Sequence, residues 1–233
     1  MKLFNKIFKN WKLYELVYLI ISMIVLIVFS IICKSAVLTI LVAVFGLLGT
    51  SLNTKTNKYC FIFYFVSAVL YAYASFQQKY YGETILNIFY TIPMYVISIV
   101  AIFRIKNKDH NFRIESTYFR TLLILLGMIV VVIVGYGWVL SMIGTTWPYL
   151  NSAGTAFCTA AVFLASRKKL VQWYFWILYN IIQFTLWFLT IDANNLNGIP
   201  IIILNIIYLG INAYGLITWI VMNRKNRMNL KSE

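Results

Sequence analysis

Charge is scarce in this 233-residue chain: 11% of its residues are Asp, Glu, Lys or Arg, and only six are acidic. An average soluble domain carries roughly a quarter charged residues. With 62% hydrophobic residues and a mean hydropathy of +0.81, a water-soluble enzyme or nucleic-acid binder is all but excluded. The six acids are Glu15, Glu83, Asp109, Glu115, Asp192 and Glu233, and the one histidine, His110, lies in a basic loop. None of them falls in the middle of an apolar run, where a proton-coupled pump needs a titratable group. The chain also lacks a Walker-type P-loop for ATP, a nucleophile–base pair and any metal-ligand spacing. No catalytic residue, metal or cofactor is therefore expected. Cys33, Cys60 and Cys158 sit in or beside apolar runs without CxxC spacing, and read as inert buried thiols.

What is present is long apolar sequence. Runs extend over about Tyr14–Cys33, Ala36–Leu52, Tyr59–Phe76, Glu83–Phe103, Tyr118–Ile143, Pro148–Ser166, Val171–Thr190 and Gly198–Met222. A helix crosses a bilayer with ~20 such residues, whereas barrel strands are shorter and alternate in polarity. The runs predict an all-α integral membrane protein of eight transmembrane helices.

The net charge of +14 has a use in this setting. Of the 20 Lys and Arg, all but Lys34 and Lys79 fall in the two tails, in the loops after runs two, four and six, or at Arg120. By the positive-inside rule both termini are cytoplasmic. The excess is a topology signal, and no nucleic-acid partner is expected. The first run is too long for a signal-peptide core and lacks a clear small-x-small cleavage site, so it reads as an uncleaved helix.

The chain also repeats. Leu86-Asn87-Ile88-Phe89-Tyr90 reads against Leu204-Asn205-Ile206-Ile207-Tyr208, with Tyr81-Gly82 and Asn197-Gly198 upstream and basic residues downstream of both. Runs two to four recur as runs six to eight. The intervening fifth run gives the two triplets one orientation, a parallel repeat of the kind transporters use to build a substrate site near the midplane.

Polar residues mark one face of several runs. Trp173, Trp176, Asn180, Gln183 and Trp187 step by three and four, as do Asn205, Tyr208, Asn212, Gly215 and Trp219. Asn87, Tyr90 and Met94 share a face in run four, and Ser67, Tyr71, Ala74 and Gln78 in run three. Any one amide can be glue between helices. Four helices presenting amides and aromatics predict a shared polar, aromatic-lined cavity, since unpaired amides in hydrocarbon cost several kcal/mol. Candidate substrate-binding residues are Trp173, Trp176, Asn180, Gln183, Trp187, Asn87, Tyr90, Asn205, Tyr208, Asn212 and Gln78. Stacked rings without a carboxylate can also hold a delocalised cation. Trp11, Tyr14, Trp147 and Tyr149 fit interface belts, and Trp173 is compatible with that role too.

Tyr81-Gly82-Glu83-x-x-x-Asn87-x-x-Tyr90-x-x-Pro93-Met94 and Trp173-x-x-Trp176-x-x-x-Asn180 resemble motifs of the PnuC family of bacterial vitamin transporters. Pro148-Tyr149-Leu150-Asn151 and Asn212-Ala213-Tyr214-Gly215 add weaker support, with Asn151 standing where many relatives carry Asp. The resemblance covers runs two to eight. It implies a SWEET-like 3+1+3 fold after an extra first helix. Residues 1–35 then hold the tail and first helix, 36–103 the first bundle, 104–145 a loop and linker helix, 146–222 the second bundle and 223–233 the tail. It further implies a homotrimer in the inner membrane, in contact with lipid. The activity implied is facilitated diffusion of nicotinamide riboside, trapped afterwards by cytoplasmic phosphorylation. Thiamine or riboflavin is the nearby alternative substrate. A non-transporting receptor or scaffold is the distant alternative, and the short, plain loops offer it little.

Overall fold

The computed structural model describes residues 11–32, 37–77, 81–104, 114–115, 117–190 and 199–229. The candidate Gln78 lies outside them, as do Cys33, Lys34, Lys79, the loop carrying His110, and the Asn197-Gly198 pair. The described residues are helical: α1 (Leu13–Ile32), α2 (Val37–Thr54), α3 (Cys60–Gln77), α4 (Tyr81–Leu86), a π-helical turn (Asn87–Thr91), α5 (Ile92–Arg104), α6 (Phe119–Met142), α7 (Pro148–Ser166), α8 (Gln172–Thr190) and α9 (Ile199–Asn229). An isolated bridge joins Glu115 to Lys169.

Among the described residues, six stretches are long and apolar enough to cross a membrane: Leu13–Ile32, Val37–Thr54, Cys60–Gln77, Thr84–Ile102, Phe119–Met142 and Ile201–Lys225. The sequence led us to expect eight. The remaining two helices, α7 and α8, have 19 residues each, so length is not what separates them. Asn151, Ser152, Thr155 and Thr159 dilute α7, while Asn180, Gln183 and five Trp or Tyr residues dilute α8. Both helices fall short because polar stripes run along them.

The chain divides into two compact units, Met1–Arg113 and Ile114–Glu233. In the first, α3 packs along α2 and α5, and α1 lies against α2. In the second, α6 packs on α7, α7 on α8 and α8 on α9. The internal repeat is visible in the turns. Helix α2 ends with Thr56 in the left-handed region, the Asn57 N–H bonded to the Leu52 carbonyl at 3.1 Å and the Thr56 N–H to the Asn53 carbonyl at 2.9 Å. Helix α7 ends the same way at Lys168, with Lys169 bonded to Leu164 and Lys168 to Ala165, both at 2.9 Å. Each is a Schellman motif that satisfies carbonyls a helix end leaves orphaned. Above the turns, Phe45 meets Phe63 at 6.1 Å and Phe157 meets Phe175 at 5.9 Å.

An acid holds each turn. Glu15, in the first turn of α1 and 8% exposed, pairs with Lys55 and also accepts from the Lys12 N–H at 2.8 Å. Glu115 pairs with Lys169 at 2.9 Å, but its side chain is 55% exposed. A surface pair contributes ~0–1 kcal/mol, whereas stranding a buried charge costs more. Glu15→Gln should therefore destabilise the protein by about 1–3 kcal/mol, and Glu115→Gln by under about 0.5 kcal/mol. Thermal unfolding in detergent reads both; equal shifts would show that the burial of Glu15 carries no energetic weight.

Candidate substrate-binding face

In the second unit the antiparallel pair α8–α9 sets the register. The Trp173 and Trp219 rings meet edge to face at 5.5 Å, and both are fully buried. Two turns along α8 from Trp173 come Asn180 and then Trp187; two turns back along α9 from Trp219 come Asn212 and then Asn205. Because the helices run oppositely, these residues form three levels: Trp173 with Trp219, Asn180 with Asn212, and Trp187 with Asn205. The middle level is the polar one. Asn180 is 2% and Asn212 1% exposed.

The hydrogen bonding of the two amides differs. The Asn180 Nδ2 donates to the Trp176 carbonyl at 2.7 Å. That carbonyl only accepts, so the atom facing it is the nitrogen and Oδ1 points away. The Asn180 Oδ1 has no partner among the described residues, and neither amide atom of Asn212 has one. The same holds for the buried indole nitrogens of Trp173 and Trp176. Asn205 is more self-contained, its Nδ2 donating to the Ile201 carbonyl at 2.8 Å. Buried polar atoms are normally paired, so these open donors and acceptors mark α8 and α9 as the place to look for a polar ligand.

Glycines let side chains reach the face. A Cβ on Gly154 of α7 would lie 3.0 Å from the Gln183 Nε2, so the Gln183 amide rests directly on that backbone. A Cβ on Gly215 would meet the Trp173 ring at 2.6–2.8 Å. Gln183, Trp187 and Tyr208 are half-buried. Sequence reasoning passed over Gly154, although small residues spaced along a membrane helix signal close approach.

In the first unit, Asn87 is 5% exposed and Tyr90 half-buried. Here the structure departs from a simple helical face. The Ile92 N–H bonds to the Asn87 carbonyl five residues back, directly before Pro93, which has no N–H to give. This π-turn takes in one extra residue and shifts all that follows. The expected partner Met94 is only half-buried, and Tyr95 at 4% takes the inward place, followed by Ser98 and Ile102. Their burial matches Asn212, Gly215 and Trp219 of the second unit. Likewise Phe61, Tyr64 and Ala68 take the positions of Trp173, Trp176 and Asn180, counted from the matching turns. Tyr64 stacks on Tyr95 at 5.3 Å and donates to the Thr50 Oγ1 at 3.3 Å. The first unit answers with paired polar groups where the second leaves its amides open. Cys60 is buried, Cys158 half-buried, and both are free thiols.

Known proteins match this chain along most of its length. A nicotinamide riboside transporter PnuC from Neisseria mucosa is 25% identical over 221 residues, spanning 92% of this chain and 84% of the relative. The crystal structure of the vitamin B3 transporter PnuC shares the fold, with a TM-score of 0.74 over 93% of this chain and 94% of its own, at 23% identity. The profile of the nicotinamide mononucleotide transporter family matches residues 36–221. The chain belongs to that family, a family of membrane transporters and not of enzymes.

Proposed function

We propose that this protein is a uniporter for nicotinamide riboside in the bacterial inner membrane. The observation that carries the reading is the middle level of the α8–α9 pair, where the Asn180 Oδ1 and both amide atoms of Asn212 are buried and open. A flat carboxamide-bearing ring with ribose hydroxyls supplies matching donors and acceptors, and the tryptophans on either side suit a delocalised ring cation. The riboside fits better than the mononucleotide, because Gln172–Thr190 holds no Lys or Arg to meet a phosphate. All eight long helices span the membrane in this reading, in a 3+1+3 arrangement with α6 as linker and cytoplasmic termini. Three copies assemble, and phosphorylation inside the cell traps the product.

With neither a midspan titratable group nor a nucleotide site, transport follows the substrate gradient alone. Liposomes containing only this protein should equilibrate nicotinamide riboside at a rate indifferent to imposed proton or sodium gradients. Uphill accumulation driven by either ion would overturn uniport. Thiamine competing more strongly than nicotinamide riboside would move the assignment to the sibling vitamin.

A further inference from the structure

We propose that the basic end of the second unit binds the headgroup of an acidic phospholipid through Arg120, Arg167 and Lys168. The inference goes beyond the transport reading and does not depend on which vitamin is carried. Among the described residues of this unit, Lys and Arg all lie at one end. Arg120 stands in the first turn of α6, Arg167, Lys168 and Lys169 in the α7–α8 turn, and Arg224, Lys225 and Arg227 near the end of α9. The fold draws the first two groups together. The Glu115 N–H donates to the Lys168 carbonyl at 3.0 Å, so the chain entering α6 runs against the α7–α8 turn. One turn into α6, Leu122 packs on the core that holds Leu164 and Phe175. Glu115 is the one acid among the described residues of the unit, and its carboxylate is taken by Lys169 at 2.9 Å. Arg120, Arg167 and Lys168 have no ion-pair partner among the described residues. Both arginines are exposed. The Arg167 guanidinium lies over the Phe163 ring at 5.6 Å, which steadies a side chain that otherwise has many rotamers.

The surroundings of Arg120 select a lipid over a soluble anion. Tyr118 and Phe119 are 78% and 74% exposed, and the exposed Leu123 and Ile124 continue the apolar surface along α6. Such a surface seats acyl chains. Its aromatic rings belong at headgroup level, where an arginine keeps its stem in the apolar layer and its charge among phosphates. A guanidinium meets a phosphate with two parallel N–H donors. Charge then selects among lipids. Three cations without a neutralising partner repel the ammonium of a zwitterionic headgroup and attract a headgroup of net negative charge, about fivefold in affinity for each basic residue.

The test is lipid binding to the purified full chain in detergent, read by native mass spectrometry. Phosphatidylglycerol and phosphatidylcholine of identical acyl chains are the probes. The unsubstituted protein should prefer phosphatidylglycerol by at least about tenfold. With Arg120→Gln and Arg167→Gln together, the preference should fall to within about threefold. Arg120→Glu is a second variant at an exposed position, and should lower the preference by at least about fivefold. Arg224→Gln with Lys225→Gln removes the same charge from the same end of the unit, and should leave the parent's preference in place. Glycerol 3-phosphate in excess should not displace the lipid. Equal retention of the two lipids by the parent, or a preference that survives both arginine variants, would overturn the site. A preference lost equally in the α9 control would reduce it to net charge and overturn it as well. Displacement by glycerol 3-phosphate would overturn the lipid assignment in favour of a soluble phosphate.

Discussion

Asn212→Leu should make the unliganded protein more stable while destroying its affinity for nicotinamide riboside. Leu nearly reproduces the shape of Asn, and the side chain it replaces is 1% exposed with both amide atoms open among the described residues. A buried polar group without a partner costs ~1–3 kcal/mol, and the substitution removes that cost. The same change withdraws a donor and an acceptor from the bound state, each worth roughly tenfold in affinity. Thermal unfolding in detergent should rise in the absence of ligand, and titration calorimetry should show binding weakened by about a hundredfold. A residue kept at the expense of stability is what a binding site produces. A fall in apo stability would instead make Asn212 a helix–helix tie, with affinity then lost only through distortion.

How much of this was legible in the sequence depends on what kind of signal each feature leaves. The helices were legible, because hydrocarbon forces backbone groups to pair within the segment and long apolar runs leave little else. The repeat was legible from Leu86–Tyr90 and Leu204–Tyr208. The α8 stripe was legible from its three-and-four steps, and its central Asn180 is buried. The Asn87–Tyr90–Met94 face was drawn on a 3.6-residue period, and the π-turn before Pro93 breaks that period, substituting Tyr95 for Met94. The pairing of Glu15 with Lys55 was equally hidden, since forty residues of chain separate two charges that only folding unites. Hidden too was the direction of each amide. Composition shows that Asn180 is polar, but only the bond to the Trp176 carbonyl shows that it is an acceptor.

Gly215→Leu should be among the most damaging single changes in the second unit, and Trp173→Ala should relieve it. Apolar side chains gain little by leaving lipid for protein, so helix association there relies on close packing. The Trp173 ring lies flat against the α9 backbone at Gly215, within 2.6–2.8 Å of where a Cβ would stand, and its edge meets Trp219. Any side chain at 215 must push a fully buried indole out of place, and backbone on the other side cannot yield. Overpacking of this kind typically costs about 1–3 kcal/mol, and here the upper end applies. Returning a helical glycine to a better helix former recovers only ~1 kcal/mol. That smaller gain should appear alone at Gly135 of α6, where no atom lies within 4 Å, so Gly135→Ala should stabilise slightly. The decisive comparison is a double-mutant cycle followed by thermal unfolding in detergent. Trp173→Ala leaves a cavity and is costly by itself, at about 3–5 kcal/mol. In that background, however, the larger side chain has space to enter, and Gly215→Leu should be neutral or stabilising. If Gly215→Leu is as harmful without the indole as with it, the glycine serves the backbone of α9 and not the seat of Trp173.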